Sequence, residues 1–213
     1  MLITRPEHDG TTFYCSKWAG NVIKEADKKG FDVFDMSREK ANKDRVESIL
    51  TDKQPGLVFF NGHGDDETIF GHNDEILIKS GNNEDLLESK IIYAVSCSSA
   101  RELGKGAVEK GADAYIGYED DFVFIGDTNS SARPLSDQFA KPFFESSNQI
   151  PLSLVNGSKV IDASAKSQKM FQYWITYFRT LGESLPEAPE ILKQLLWDKR
   201  NQVIRGNQDA SIS

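Results

Sequence analysis

Two segments of the chain hold residue types that could do covalent chemistry. Val58-Phe59-Phe60-Asn61-Gly62-His63-Gly64 carries a histidine from an apolar run into a turn with a glycine on either side. Flanking glycines permit positive φ and close backbone approach to a ligand, leaving a peptide N–H free to donate. Ile91-Ile92-Tyr93-Ala94-Val95-Ser96-Cys97-Ser98-Ser99-Ala100 places a cysteine just past a second apolar run and just before a predicted helix. Ser99 and Glu102 have the spacing of a capping box at that helix start. Partial positive charge there, with a histidine nearby, would favour the thiolate. Taken singly, the first segment is equally a tight turn with an exposed histidine, and the second a buried structural thiol. Taken together they satisfy what a nucleophile–base pair requires, since each follows a wholly apolar strand.

The elements around them have to bring the two ends together. Met1–Thr4, Phe31–Met36, Leu57–Phe60, Ile91–Val95 and Ala114–Tyr118 read as strands, and Phe122–Ile125 as one more. Helices are predicted over Thr11–Lys29, Asn42–Lys53 and Arg101–Lys110, with a short one at Asn83–Ser89. Thr68–Phe70 and Glu75–Ile78 read as a hairpin. Uninterrupted apolar strands such as Leu57–Phe60 are typical of parallel sheets buried on both faces. Alternating strands and helices predict a mostly parallel sheet flanked by helices, with function at the carboxyl ends of the strands. From about residue 130 the pattern turns helical, over Pro134–Phe144, Pro151–Leu181 and Pro189–Ile204, each opening near a proline. The domain expectation is an α/β core over 1–128, a helical part of the same domain over 129–205, and a polar, frayed tail over 206–213.

Composition narrows the function classes. The 213 residues carry 25 Lys plus Arg against 33 Asp plus Glu, a net charge of −8, which disfavours nucleic acid as a partner. No apolar run reaches the ~20 residues of a membrane helix, and the start shows neither a basic leader nor a long apolar stretch, so a cytoplasmic location is expected. Two cysteines are too few for a disulfide framework, and with three histidines they make a Cys/His zinc cluster hard to assemble. No metal site is therefore expected. The glycines at 104 and 106 lack the Lys-Ser/Thr that a phosphate loop needs.

An apolar strand followed by His-Gly, then another ending in a small residue and Cys, resembles the caspase-like (clan CD) cysteine peptidases. Ser96-Cys97-Ser98-Ser99-Ala100, with Leu103-Gly104-Lys105-Gly106 and Gly111-Ala112-Asp113-Ala114-Tyr115-Ile116-Gly117, is most similar to the CHAT and gingipain-like branch. The resemblance spans about 57–125. It implies a three-layer caspase-like fold, Cys97 as nucleophile, His63 as acid/base, and an oxyanion hole from the N–H groups of Gly64 and Cys97. It further implies a histidine that need not hold the thiol in a tight ion pair. No cofactor is required, the substrate is a protein or peptide, and some relatives need an activating partner. Metacaspases, legumain and clostripain have an acidic residue just before the nucleophile, where this chain has Val95 and Ser96. Ser96 stays a candidate substrate contact, as do Asp120 and Asp121, whose acidic run could favour arginine or lysine or simply be a solvated turn.

Other candidates rank lower. His72 falls in the hairpin turn rather than off a buried strand; Asp65 and Asp66 could orient His63 or touch substrate, or equally face solvent; Cys15 shares an apolar helix face with Trp18 and Ala19. The aromatic set Tyr173, Trp174, Tyr177 and Phe178 is read as a long helix packing on the sheet. Two rivals to the peptidase reading stand: a catalytically silent interaction module of the same fold, and a flavodoxin-like domain whose Gly62–Gly64 turn holds an anion.

Overall fold

The computed structural model describes residues 1–212, Glu183 in its backbone only. Strand β1 (Leu2–Arg5) leads into helix α1 (Gly10–Lys28), β2 (Phe34–Ser37), α2 (Lys43–Asp52) and β3 (Leu57–Asn61). A hairpin of β4 (Thr68–Phe70) and β5 (Ile76–Lys79) follows, then β6 (Ile91–Val95), α3 (Leu103–Glu109) and β7 (Ala114–Tyr118). The chain then runs through α4 (Lys141–Ser147), α5 (Gln149–Val155), α6 (Val160–Leu181) and α7 (Ala188–Asn201) to β8 (Gln202–Gly206).

The main sheet has the order β2-β1-β3-β6-β7-β8, parallel except for the last pair. Alternate strand residues separate two cores, because side chains of a strand point to opposite faces. Ile3, Phe59, Tyr93 and Ile116 pack with α1 and the C-terminal helices; Leu2, Phe60, Ile92 and Tyr115 pack beneath α2, α3 and the hairpin. The result is the three-layer α/β arrangement the apolar runs predict. Chain direction across the sheet reverses between β1 and β3, since β2 lies outside β1 on one side and β3, β6 and β7 succeed one another on the other. Such a switch point opens a crevice at the carboxyl ends of the strands.

Several boundaries differ from the sequence expectation. The strand expected at 31–36 begins only at Phe34, and Asn83–Ser89 yields a single 3-10 turn, Glu84–Leu87. Phe122–Ile125 is not a strand: β8 pairs with β7 along that edge, while Phe122 and Phe124 pack around Phe144. The helix after Cys97 starts at Leu103, and its cap Glu102 makes no side-chain capping bond. Ser99 has no capping role; its hydroxyl bonds Ser96 Oγ at 2.7 Å and accepts from Tyr115 at 2.9 Å. Asn156-Gly157, with Gly157 at φ 81°, divides the helix expected over 151–181. Residues 202–206 form a strand, not the end of a helix.

The tail expected to fray is pinned. Ala210 and Gln208 carbonyls accept from the Val160 and Ile161 N–H groups, each at 2.9 Å, satisfying donors that α6 leaves open at its first turn. Of the aromatic set on α6, Phe178 is buried, but Tyr173 and Tyr177 face solvent. Among the described residues no helix is long and apolar enough to cross a membrane.

One buried carboxyl stands out. Asp198, fully buried on α7, accepts from the Val123 N–H at 3.0 Å through Oδ1, while Oδ2 has no partner among the described residues. Burial drives its pKa well above the ordinary carboxyl value, against the smaller opposing effect of the Val123 bond. A carboxyl whose pKa is raised by folding costs stability progressively as pH rises above its unfolded value. Asp198→Asn should therefore raise the melting temperature by a few degrees at pH 8, and the gain should vanish near pH 4, checked by thermal unfolding at both pH values.

Candidate active site

Three loops meet at the carboxyl edge of the sheet. β3 and β6 pair in register from Leu57↔Ile91 to Asn61↔Val95, and the Gly62 N–H continues the ladder to the Val95 carbonyl at 3.1 Å. His63 and Cys97 each lie two residues past that last pair, on neighbouring strands. The turn around His63 needs its glycines for different reasons. Gly62 has φ +124°, and a Cβ on it would stand 2.8 Å from Pro6 Cγ. Gly64 has an ordinary φ, but a Cβ there would come within 2.9 Å of Ser96 Cβ and 3.0 Å of the Thr68 carbonyl. The two turns therefore pack directly on each other.

The loop after β1 supplies what sequence reasoning missed. Asp9 Oδ2 is 2.5 Å from His63 Nε2, while Oδ1 of the same carboxylate accepts from the Thr12 N–H at 2.7 Å and caps α1. Burial would raise the Asp9 pKa, but the bonds from His63 and Thr12 outweigh it and hold the carboxyl at about 2. The loop is itself fixed: Glu7, 5% exposed, accepts from Ser16 at 2.7 Å and from Lys17 and Arg38 at 2.9 Å each. The signal for Asp9 was a helix-capping pattern, Asp9 to Thr12, which reads locally as a cap and says nothing of a partner 54 positions away.

Asp65 and Asp66, candidates to orient His63 or touch substrate, are engaged elsewhere. Asp65 accepts from the Glu67 N–H at 2.9 Å, and Asp66 pairs with Arg101 at 3.0 Å. His72 is also occupied: Nδ1 accepts from the Glu7 N–H at 3.4 Å, and Nε2 lies 3.7 Å from Glu39.

Cys97 sits partly buried in a bent turn. Ser98 follows it at φ 55°, a left-handed conformation rare outside glycine, held by its N–H bond to the Asp120 carbonyl at 3.1 Å. The thiol sulfur lies 4.0 Å from the Phe122 carbonyl, and no hydrogen bond joins it to His63. α3 starts only at Leu103, six residues past Cys97, so it does not open just after the cysteine as the sequence predicts. Burial, and next the neighbouring Asp121 carboxylate, push the thiol pKa up to about 11. The N–H groups of Cys97 and Gly64 donate to no protein acceptor among the described residues.

Of the candidate substrate contacts, Ser96 is 1% exposed and its hydroxyl is taken by Ser99, so it packs the turn and lines no groove. Asp120 serves the turn through its carbonyl, and its side chain accepts from the Asp121 N–H at 2.9 Å. Asp121 is exposed, with its carboxylate beside the thiol and its carbonyl accepting from Trp197 Nε1 at 2.9 Å. Cys15 is core, 3% exposed beside Trp18. A surface cavity of about 260 Å³, lined by Gly10, Thr11, Tyr14, Phe124 and Gly126 among others, opens between the start of α1 and the segment after Phe122.

No protein-family model matches the sequence, and no curated protein matches it. Solved structures do share its fold. The complex of Porphyromonas gingivalis RgpB pro- and mature domains superposes with a TM-score of 0.62 at 8% identity, over 99% of this chain and 48% of that one. The Arg-specific cysteine proteinase gingipain R (RgpB) gives 0.58 at 10% identity, over 99% of this chain and 46% of that one. This chain thus spans about half the length of those proteins. Its mostly parallel α/β architecture is the caspase-like fold of the gingipains.

Proposed function

We propose that this chain is a cysteine endopeptidase of caspase-like type, in which Cys97 attacks a peptide carbonyl and His63 moves the protons. The observation that carries the reading is the in-register β3–β6 pair. It brings a histidine turn and a cysteine turn to one sheet edge, and the Gly64 and Cys97 N–H groups of those turns are unclaimed among the described residues. Cys97 Sγ gives its proton to His63 as it attacks, and the amine leaves with a proton from His63 as the thioester forms; water then attacks the thioester, releasing the carboxylic acid and returning a proton through His63 to the sulfur. Gly64 and Cys97 N–H groups would stabilise the oxyanion of each tetrahedral intermediate. Asp9 would fix the imidazole's tautomer and stabilise its charged form, as a carboxylate does in Ser-His-Asp sites. The absence of a thiol–imidazole bond suits a histidine that acts chiefly on the leaving amine. A thiol raised to about 11 is neutral at pH 7, so attack requires the proton to leave as substrate binds.

Purified protein should hydrolyse peptides and take up an alkylating active-site probe at Cys97. Cys97→Ala should abolish both activities, and His63→Ala should lower turnover by a hundredfold or more. No labelling and no hydrolysis under any condition, calcium included, would instead favour the silent interaction module. Asp9→Asn keeps a good N-cap and should lower kcat at least tenfold without lowering the melting temperature. Gly64→Ala keeps the N–H, but its Cβ would push against Ser96 and the Thr68 carbonyl and shift the donor, so kcat should fall, by up to the roughly 10²–10³-fold cost of a lost oxyanion donor, with KM little changed.

Asp121 has two consequences that one variant separates. Asp121→Asn removes a negative charge beside the sulfur, which lowers the thiol pKa, so alkylation at a fixed pH below about 11 should speed up. We infer further that this carboxylate favours arginine or lysine before the scissile bond, so the same variant should lose preference for basic over neutral peptides. Alkylation rates against pH and a peptide panel check the two outcomes independently.

A further inference from the structure

The chain's three histidines, scattered along the sequence, converge beside the proposed active site. The His8 ring centroid is 5.8 Å from that of His63 and 5.4 Å from that of His72. Asp74, from the hairpin loop, places Oδ1 3.2 Å from His8 Nε2. One donor atom each from His8, His63 and Asp74 lies within 4.8 Å of the others. Asp9 Oδ2 stands between the rings, 2.5 Å from His63 Nε2 and 3.8 Å from His8 Nε2.

We propose that His8, His63 and Asp74 form a zinc site that holds the enzyme inactive by occupying its acid/base. The donor set is of the right kind: two imidazoles and a carboxylate suit Zn²⁺, whereas Ca²⁺ and Mg²⁺ take oxygen donors. At metal–ligand distances of about 2.0–2.1 Å, tetrahedral donors stand roughly 3.3 Å apart. The His8–Asp74 pair already meets that spacing, and the widest separation needs to close by about 1.5 Å. The Asp74 side chain is 64% exposed, so its carboxylate has room to adjust. Two carboxylates, Asp9 and Asp74, balance the ion's two charges. The His8 side chain is only 11% exposed, and its Nδ1 is buried with no partner among the described residues. Asn73 and Asp74 both hold positive φ, 55° and 58°, at the turn that aims the carboxylate at His8. Three protein ligands leave a fourth position open to water or a further ligand. With a His63 nitrogen coordinated, the imidazole cannot shuttle protons, and removing the ion restores it.

The inhibitory half of this proposal rests on His63 being the catalytic acid/base; the binding half does not, and the test separates them. Titration calorimetry with Zn²⁺ on Cys97→Ala protein, whose thiol cannot ligate, should show one ion per chain. His8→Gln and Asp74→Asn, each added to that background, should weaken binding at least tenfold. In the thiol-intact chain, Zn²⁺ should inhibit peptide hydrolysis reversibly with chelator. His8→Gln and Asp74→Asn should there keep the basal rate and need at least tenfold more zinc for half-inhibition. Absence of binding in Cys97→Ala protein, or binding unchanged in the exposed Asp74→Asn variant, overturns the site. Inhibition at the same zinc concentration in both variants overturns its regulatory role. A chain that binds zinc through these residues yet hydrolyses nothing upholds the site and overturns the peptidase reading alone.

Discussion

The parallel register that sets Asn61 beside Val95 is the constraint on which the candidate site depends. It holds two turns of very different composition at one height on the sheet edge, and a shift of one residue would turn each strand's side chains to the opposite face. Both cores enforce it. Phe59 and Tyr93 pack together on one side, their ring centroids 5.1 Å apart, while Phe60 and Ala94 are buried on the other. A slip would exchange these sets between helical layers built for different volumes. The register is thus fixed by packing on both faces, and the polar turns inherit their alignment from it.

β1 completes the arrangement because the sheet reverses its winding there. Asp9, four residues past the end of β1, serves the fold and the site with one carboxylate: one oxygen caps α1, the other holds the His63 imidazole. The helix start and the ring orientation are therefore coupled. Asp9 is thereby placed to hold the His63 ring while it caps a helix.

Strands with uninterrupted apolar runs were legible because burial on both faces leaves them no alternative, and His63 and Cys97 were legible as the polar residues just beyond them. What escaped was tertiary competition for local signals. Ser99 and Glu102 have capping-box spacing, yet Ser99 finds Ser96 and Tyr115 instead, so the helix waits until Leu103. Phe122–Ile125 has strand composition, but β8 takes the edge of β7 and the aromatic rings go to the core. Asp9 escaped for a related reason: its local pattern is fully explained by Thr12, and nothing along the chain signals a partner on β3's far turn. Ser96 and Asp65 show the converse, polar residues beside the motif whose hydrogen bonds are spent inside their own turns.

Charge placement gives the edge its particular character. Around the sulfur, burial and Asp121 favour the neutral thiol; on the other side of the site, Asp9 holds the His63 imidazole and Asp74 pairs with His8. A resting thiolate–imidazolium pair would draw the two groups together, but here the negative potential at the sulfur opposes the thiolate while that at the ring attracts cations. The resting state is therefore a neutral thiol beside a ring already committed to a carboxylate. On the proposed mechanism, reactivity then has to arise when a substrate carbonyl engages the Gly64 and Cys97 N–H groups and its leaving nitrogen meets His63, so the site gains its power from the bound peptide and not from a pre-formed ion pair.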